Sequence, residues 1–273
     1  MKENDGGAYW LGAADAELGR LAFQHRVWAE AQRAVWDRAG FARGQRIVDL
    51  GCGPGWSTID LALRVGPTGE VVAVDRTPRF LAELRRQVER RRLTNVRVVE
   101  CDVRTVRLEP ASVDGVYARW LFCFLSDPAA VVGRLAPALR PGGALVSTDY
   151  FNYRAFTFAP AGPALARVVA AVEEWWRRQG GSLEIQGELP AILRRAGLDV
   201  TDVTAVCRVA RPGSGLWSWP REFYRAFMPE LERQGLITSG ERVALEREWE
   251  ERERDGSGYV FLPPLIDIVA RKP

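Results

Sequence analysis

Arg46-Ile47-Val48-Asp49-Leu50-Gly51-Cys52-Gly53-Pro54-Gly55 is a short apolar, β-branched run followed by glycine at alternate positions. The run reads as a strand buried on both faces, and the glycines as a tight turn whose backbone can approach a ligand closely. A glycine turn also arises wherever a strand-to-helix connection needs positive φ, so by itself it names no ligand. From Ser57 the pattern becomes helical, which places free N–H groups and partial positive charge beside the turn. Outward from there the chain alternates: strand 70–75, helix from Pro78, strand 96–101, strand 113–117, helix 127–139, a Pro141-Gly142-Gly143 turn and strand 144–150. Such alternation predicts parallel strands joined by right-handed crossovers, with any ligand at their carboxyl ends.

Asp75 ends the strand that follows the glycine turn, where a carboxylate can accept hydrogen bonds from two ribose hydroxyls. The glycines fall as GxGxG, and Trp56 stands where the dinucleotide fingerprint would have its last glycine, which disfavours a pyrophosphate ligand. The ordered set Asp49-Leu50-Gly51-Cys52-Gly53-Pro54-Gly55, Val71-Val72-Ala73-Val74-Asp75, Glu100-Cys101-Asp102-Val103 and Leu139-Arg140-Pro141-Gly142-Gly143 resembles the successive motifs of class I S-adenosylmethionine-dependent methyltransferases. The resemblance covers roughly 46–150. It implies an α/β, Rossmann-like doubly wound seven-stranded sheet, mostly parallel with an antiparallel last strand, and S-adenosyl-L-methionine as cofactor with S-adenosyl-L-homocysteine as product. It also implies that Asp49, Gly51, Cys52, Gly53 and Gly55 line the methionine end and that Asp75 holds the ribose. Arg76 would flank the adenine, Asp102 and Val103 would contact its amino group and ring, and Arg119 and Trp120 would border the methionine moiety and the acceptor pocket.

Upstream, residues 15–40 repeat Leu18, Leu21, His25, Trp28, Ala31 and Val35 at spacings of three and four, one face of a helix. His25, the chain's one histidine, is the candidate general base for a hydroxyl nucleophile; a hydrogen-bonded core histidine is the competing reading. Arg20 and Gln24, one turn apart, can reach the cofactor carboxylate or close the pocket. With Tyr9-Trp10-Leu11-Gly12, Glu17 and Leu21, they resemble the N-terminal lid of bacterial small-molecule methyltransferases.

Beyond Tyr150 the regular alternation breaks, and the chain divides as an N-terminal helical lid (1–45), a cofactor-binding core (46–150), a first cap insertion (151–186), more core (187–210), a second cap insertion (211–258) and a closing strand (259–273). The cap is expected to be α-helical. Its aromatic residues border the active-site edge, so Tyr150, Tyr153, Trp217 and Phe261, with Trp120, are expected to line a pocket for a planar or hydrophobic small-molecule acceptor. The charged stretch 241–254 reads as a solvated helix face with Glu248–Arg252 and Glu250–Arg254 pairs.

The 38 basic and 35 acidic residues are interspersed and sum to +3, which provides no field for nucleic acid; Arg85 to Arg92 is an exposed helix face. No Asn/Asp-Pro-Pro-aromatic signature follows the fourth strand, where Ala118-Arg119-Trp120-Leu121 stands. Cys52, Cys101, Cys123 and Cys207 are scattered, so neither a metal site nor a disulfide framework is expected. No apolar run approaches the ~18 residues of a membrane span. The chain therefore reads as a cytoplasmic monomer or homodimer that methylates an O, N or C nucleophile of a natural-product-like molecule. The alternative is a non-methylating cyclase or rearrangement catalyst that keeps the cofactor.

Overall fold

The computed structural model describes Leu11, Gly12 and residues 14–273; Tyr9 and Trp10 lie outside them. The first half runs α1 (Asp15–Ala39), β1 (Arg46–Leu50), α2 (Trp56–Val65), β2 (Glu70–Asp75), α3 (Pro78–Arg90), β3 (Val96–Glu100), β4 (Val113–Arg119), α4 (Pro128–Leu135) and β5 (Leu139–Tyr150). The second half runs β6 (Thr157–Ala159), α5 (Pro163–Arg178), α6 (Ile185–Arg195), β7 (Asp199–Val206), β8 (Val209–Ala210), α7 (Gly215–Arg233), α8 (Ser239–Asp255), β9 (Tyr259–Phe261) and β10 (Leu265–Arg271).

Seven strands form one sheet in the order β3-β2-β1-β4-β5-β10-β7. All neighbouring pairs are parallel except those of β10, which runs antiparallel to both β5 and β7. The doubly wound, mostly parallel sheet expected from the sequence is thus present. β1 lies between β2 and β4, with Asp49 opposite Ala73 and Tyr117, so the glycine turn emerges at the middle of the sheet's carboxyl edge.

α1 packs its apolar stripe on this sheet. His25, Trp28, Val35, Trp36 and Ala39 are buried, and Gly40, at φ 72, stops the helix in the left-handed conformation. Trp36 meets the ring of Tyr117 edge-on at 5.2 Å; full burial of Trp28 and Trp36 contributes roughly 5 kcal/mol of apolar transfer each before ordering entropy is charged.

Several boundaries differ from the sequence reading. α4 stops at Leu135 and tightens into a 3₁₀ turn over Ala136–Ala138, where Pro137 lacks the N–H a longer α-helix needs. Pro141-Gly142-Gly143 lies within β5 as an irregularity. The cap is not purely helical either: β6, β9 and β8 form a second antiparallel sheet, so β9 belongs to the cap and the closing strand is β10 alone. α8 is less solvated than its charge suggests. Leu245, Glu248 and Trp249 are buried, and Arg221 of α7 draws in Glu253 (2.6 Å), Glu246 (3.4 Å) and Glu250 (3.7 Å). Glu248 does pair with Arg252 (3.1 Å), whereas Glu250 turns to Arg221 rather than Arg254.

Candidate active site

A cleft of 580 Å³ opens at the carboxyl edge of the sheet and runs under the cap. Asp49, Gly51, Cys52, Gly53, Asp75, Arg76, Asp102, Val103 and Arg119 line it. The glycine turn is held by its own backbone: Gly51 and Cys52 both donate N–H to the Val74 carbonyl (2.8 and 3.0 Å). Asp75 accepts the N–H of Gly53 (2.9 Å) and of Thr77 (2.8 Å), one on each carboxylate oxygen. Each oxygen keeps a further acceptor position for a ligand hydroxyl. At Gly53, φ is +54 and nothing lies within 4 Å of where a Cβ would sit, so the backbone is open to a ligand there. Gly55, expected beside the cofactor, does not line the cleft. A Cβ there would lie 2.2 Å from Leu84 Cδ1, so this glycine serves helix packing.

The acidic positions are not equivalent. Asp102 is already surrounded: Arg104 donates its backbone N–H (2.8 Å), Nε (3.0 Å) and Nη2 (2.7 Å), and Arg76 Nη1 adds a fourth bond at 3.2 Å. These cations hold the carboxyl at about 2, and an adenine amino group could reach it only if Arg104, which is exposed, swings aside. Asp49 is buried and bonded by the Thr58 hydroxyl (2.6 Å). Burial pushes its carboxyl from the ordinary 3.8 to about 6, against the pull of Thr58 and Arg119.

His25, the candidate base, does not line the cleft. It is buried on α1 beside Trp56, with Nε2 3.3 Å from Asp60 and Nδ1 3.3 Å from Arg119 Nη2. Both ring nitrogens are therefore engaged, one by Asp60 and one by Arg119 of the cleft wall, the arrangement of a hydrogen-bonded core histidine one residue behind the lining. The other guanidinium nitrogen, Arg119 Nη1, is buried and has no hydrogen-bond partner among the described residues.

Trp120, Tyr150 and Tyr153 line the cleft toward the cap as expected. Arg20 and Gln24 also line it, but on the cap side: Glu17 holds Arg20 through two 2.7 Å bonds, and Gln24 bonds Trp219 of α7 at 3.0 Å. Trp217 and Phe261 do not line it. Trp217 is fully buried against Phe158 and Trp249, with Nε1 on Glu253 (2.9 Å); two residues from Trp219 on a helix, it faces away from the site. Phe261 belongs to β9 in the small cap sheet. The sequence reading missed Phe124, Trp175, Trp176 and Phe223, which build the aromatic walls, and Glu230, Arg233 and Gln234, which complete the lining. Adjacent tryptophans on α5 were the available signal, since neighbouring helical residues point about 100° apart and one helix face cannot hide both. Asp149, also buried, accepts the N–H of Cys123 (3.0 Å) and Tyr150 (2.9 Å) and so ties the turn bearing Phe124 to the end of β5.

A doubly wound sheet with an acid at the end of β2 and a glycine turn after β1 has the layout of nucleoside-cofactor folds. The family described as "Methyltransferase domain" matches residues 47–143. Trans-aconitate 2-methyltransferase of Methylobacterium nodulans is 39% identical over 247 residues, covering 86% of this chain and 90% of that protein. The chain belongs to the S-adenosylmethionine-dependent methyltransferases. Among other relatives, an uncharacterized 37.1 kDa protein of transposon TN4556 from Streptomyces fradiae is 36% identical, but the match spans only 29% of its length. Two solved structures share the fold at 19% identity. A putative methyltransferase from Bacillus halodurans has a TM-score of 0.59 and covers 88% of this chain and 98% of that one. The 4+2 cyclase SpnF has a TM-score of 0.55 and covers 89% and 81%. Among the described residues no helix is long and apolar enough to cross a membrane, and no group of His, Cys, Asp or Glu is placed to hold a metal.

Proposed function

We propose that the chain transfers the methyl group of S-adenosylmethionine to a small acceptor held against the aromatic walls beneath the cap. The observation that carries this is the continuity of one cleft from the glycine turn and Asp75 to Tyr150, Tyr153, Trp175 and Trp176. Its volume is in the range of small-molecule sites. The residues present suit the cofactor: open backbone at Gly53, acceptor capacity on Asp75, and a buried guanidinium nitrogen at Arg119 with no partner among the described residues. Asp75 would hold the ribose, Val103 would cover the adenine, and Arg119 and Asp49 would take the carboxylate and ammonium of the methionine end. The cofactor supplies an electrophilic methyl on a sulfonium, so the protein's task is to align the acceptor and exclude water.

Calorimetric titration tests this. S-adenosylmethionine and S-adenosylhomocysteine are expected to bind, 5′-methylthioadenosine at least about tenfold more weakly because it lacks the groups for Arg119 and Asp49, and NADH not at all. Absence of binding by both sulfur cofactors would sink the reading. Release of S-adenosylhomocysteine on turnover separates methylation from a reaction that merely retains the cofactor.

Asp49 gives the site a pH signature. Its folded value near 6 exceeds the unfolded 3.8, so its proton favours folding below about pH 4, and that contribution, up to about 3 kcal/mol, is lost as pH rises through 6. A cofactor ammonium prefers the ionised carboxylate, so affinity runs the other way. Between pH 7 and 5, urea resistance of the unliganded protein is expected to rise while S-adenosylhomocysteine affinity falls toward tenfold per unit. Asp49→Asn should flatten the affinity trend, and an affinity independent of pH would rule out the Asp49 contact.

A further inference from the structure

Around the aromatic end of the cleft, three hydrogen-bonding groups left over among the described residues can donate. Gln24 gives its side-chain oxygen to Arg20 Nη1 (3.1 Å) and Trp219 Nε1 (3.0 Å). Its amide nitrogen, with two protons, has no partner among the described residues. Among the described residues, the buried Trp120 indole N–H has no hydrogen-bond partner and the Tyr150 hydroxyl makes no hydrogen bond. The three belong to one cluster: Trp120 lies 6.4 Å from the Tyr150 ring and 6.0 Å from the Trp219 ring that Gln24 bonds. Trp120 is held there against its own backbone preference, at φ +48, by its N–H on the Thr148 carbonyl (2.9 Å). A bulky residue in the left-handed region persists only where its surroundings over-determine it.

Among the described residues, the same end of the cleft holds no uncommitted carboxylate or imidazole. The carboxylates that line the cleft are Asp49, Asp75 and Asp102 beside the glycine turn, and Glu230. Glu230 is engaged by Arg233 (2.7 and 2.8 Å) and Gln234 (2.9 Å). His25 is outside the lining. Among the described residues, a neutral hydroxyl or a protonated amine would thus find no group here to take its proton.

We infer that the acceptor is a planar, largely apolar molecule whose nucleophile is an oxygen already ionised in solution, a carboxylate or the anion of an acidic enol or phenol, received by Gln24, Tyr150 and Trp120. This rests on the methyl-transfer reading. The oxygen lone pair forms the O–CH₃ bond as the C–S bond breaks, and that bond's electron pair stays on sulfur. The negative and sulfonium charges cancel, and no proton moves. An amine would set its N–H groups against the donor-only Gln24 amide and Trp120 indole, with the Tyr150 hydroxyl alone able to accept. The ester or ether product accepts hydrogen bonds more weakly than the anion, which favours its release.

The test uses wild-type protein saturated with S-adenosylhomocysteine and titrated calorimetrically at neutral pH with 2-naphthoic acid, methyl 2-naphthoate and 2-(aminomethyl)naphthalene. The acid is expected to bind at least about tenfold more tightly than the other two, and Tyr150→Phe and Gln24→Leu each to reduce that preference to about threefold or less, each removing a donor to a charged oxygen. The proposal is overturned if the ester or amine binds as tightly as the acid, if the acid does not bind, or if both variants keep the full preference. Titration of S-adenosylhomocysteine into each protein beforehand distinguishes these outcomes from failure of the cofactor site itself.

Discussion

Asp75→Ala is expected to raise the dissociation constant for S-adenosylmethionine about 100-fold or more. The carboxylate has two tasks. Inside the protein it accepts the Gly53 and Thr77 N–H groups and so sets the shape of the glycine turn; toward the ligand it offers acceptor positions for ribose hydroxyls. Hydrogen bonds to a charged acceptor contribute about 1.5–3 kcal/mol each, and two of them lost together give at least the stated factor. Calorimetry on the variant measures the loss, and a melting curve without cofactor shows whether the turn survives. Affinity within threefold of wild type would remove Asp75 from the site.

Gly55→Ala should destabilise the protein by about 2–4 kcal/mol although its side chain would point away from the cleft. Gly55 precedes α2 at φ +86, a conformation that penalises any Cβ by roughly 1 kcal/mol. The new methyl would also meet Leu84 Cδ1 at 2.2 Å and its Cβ at 3.0 Å, and overpacking of a buried contact adds about 1–3 kcal/mol. Urea denaturation measures this directly. An unchanged midpoint would mean that α3, which carries Leu84, yields easily.

These two sites show where the sequence could be read and where it could not. β1 and its turn were legible because the information is local: an apolar run, then glycines. The direction a glycine or histidine faces is not local. Gly55 resembles its neighbours Gly51 and Gly53 in sequence, yet Leu84 from another helix decides its task. His25 has the right chemistry for a base, but it does not line the cleft, and Asp60 and Arg119 take up both its ring nitrogens. Asp102 could have been read with more care, since Arg104, two residues on, is at the spacing that closes a ring of hydrogen bonds on it. The cap sheet was out of reach because strands as short as β6, β8 and β9 show no periodicity, and their pairing joins residues about 50 to 100 apart. Trp217 and Trp219 needed the helix phase of α7, which only the packed cap fixes.

The place of β10 bears on how the molecule comes into being. It is the tenth strand made, yet it lies between β5 and β7 and pairs with both along its full length. Until residues 265–271 have left the ribosome, β7 has no partner in the large sheet and β5 presents an open, apolar edge. A chain that has passed β7 but not yet released β10 therefore holds an unsealed seam in its large sheet, the kind of surface that recruits chaperones or a second nascent chain. Chains arrested between β9 and β10 should consequently be captured by holdases and cut by proteases, although they already contain every residue that lines the cleft.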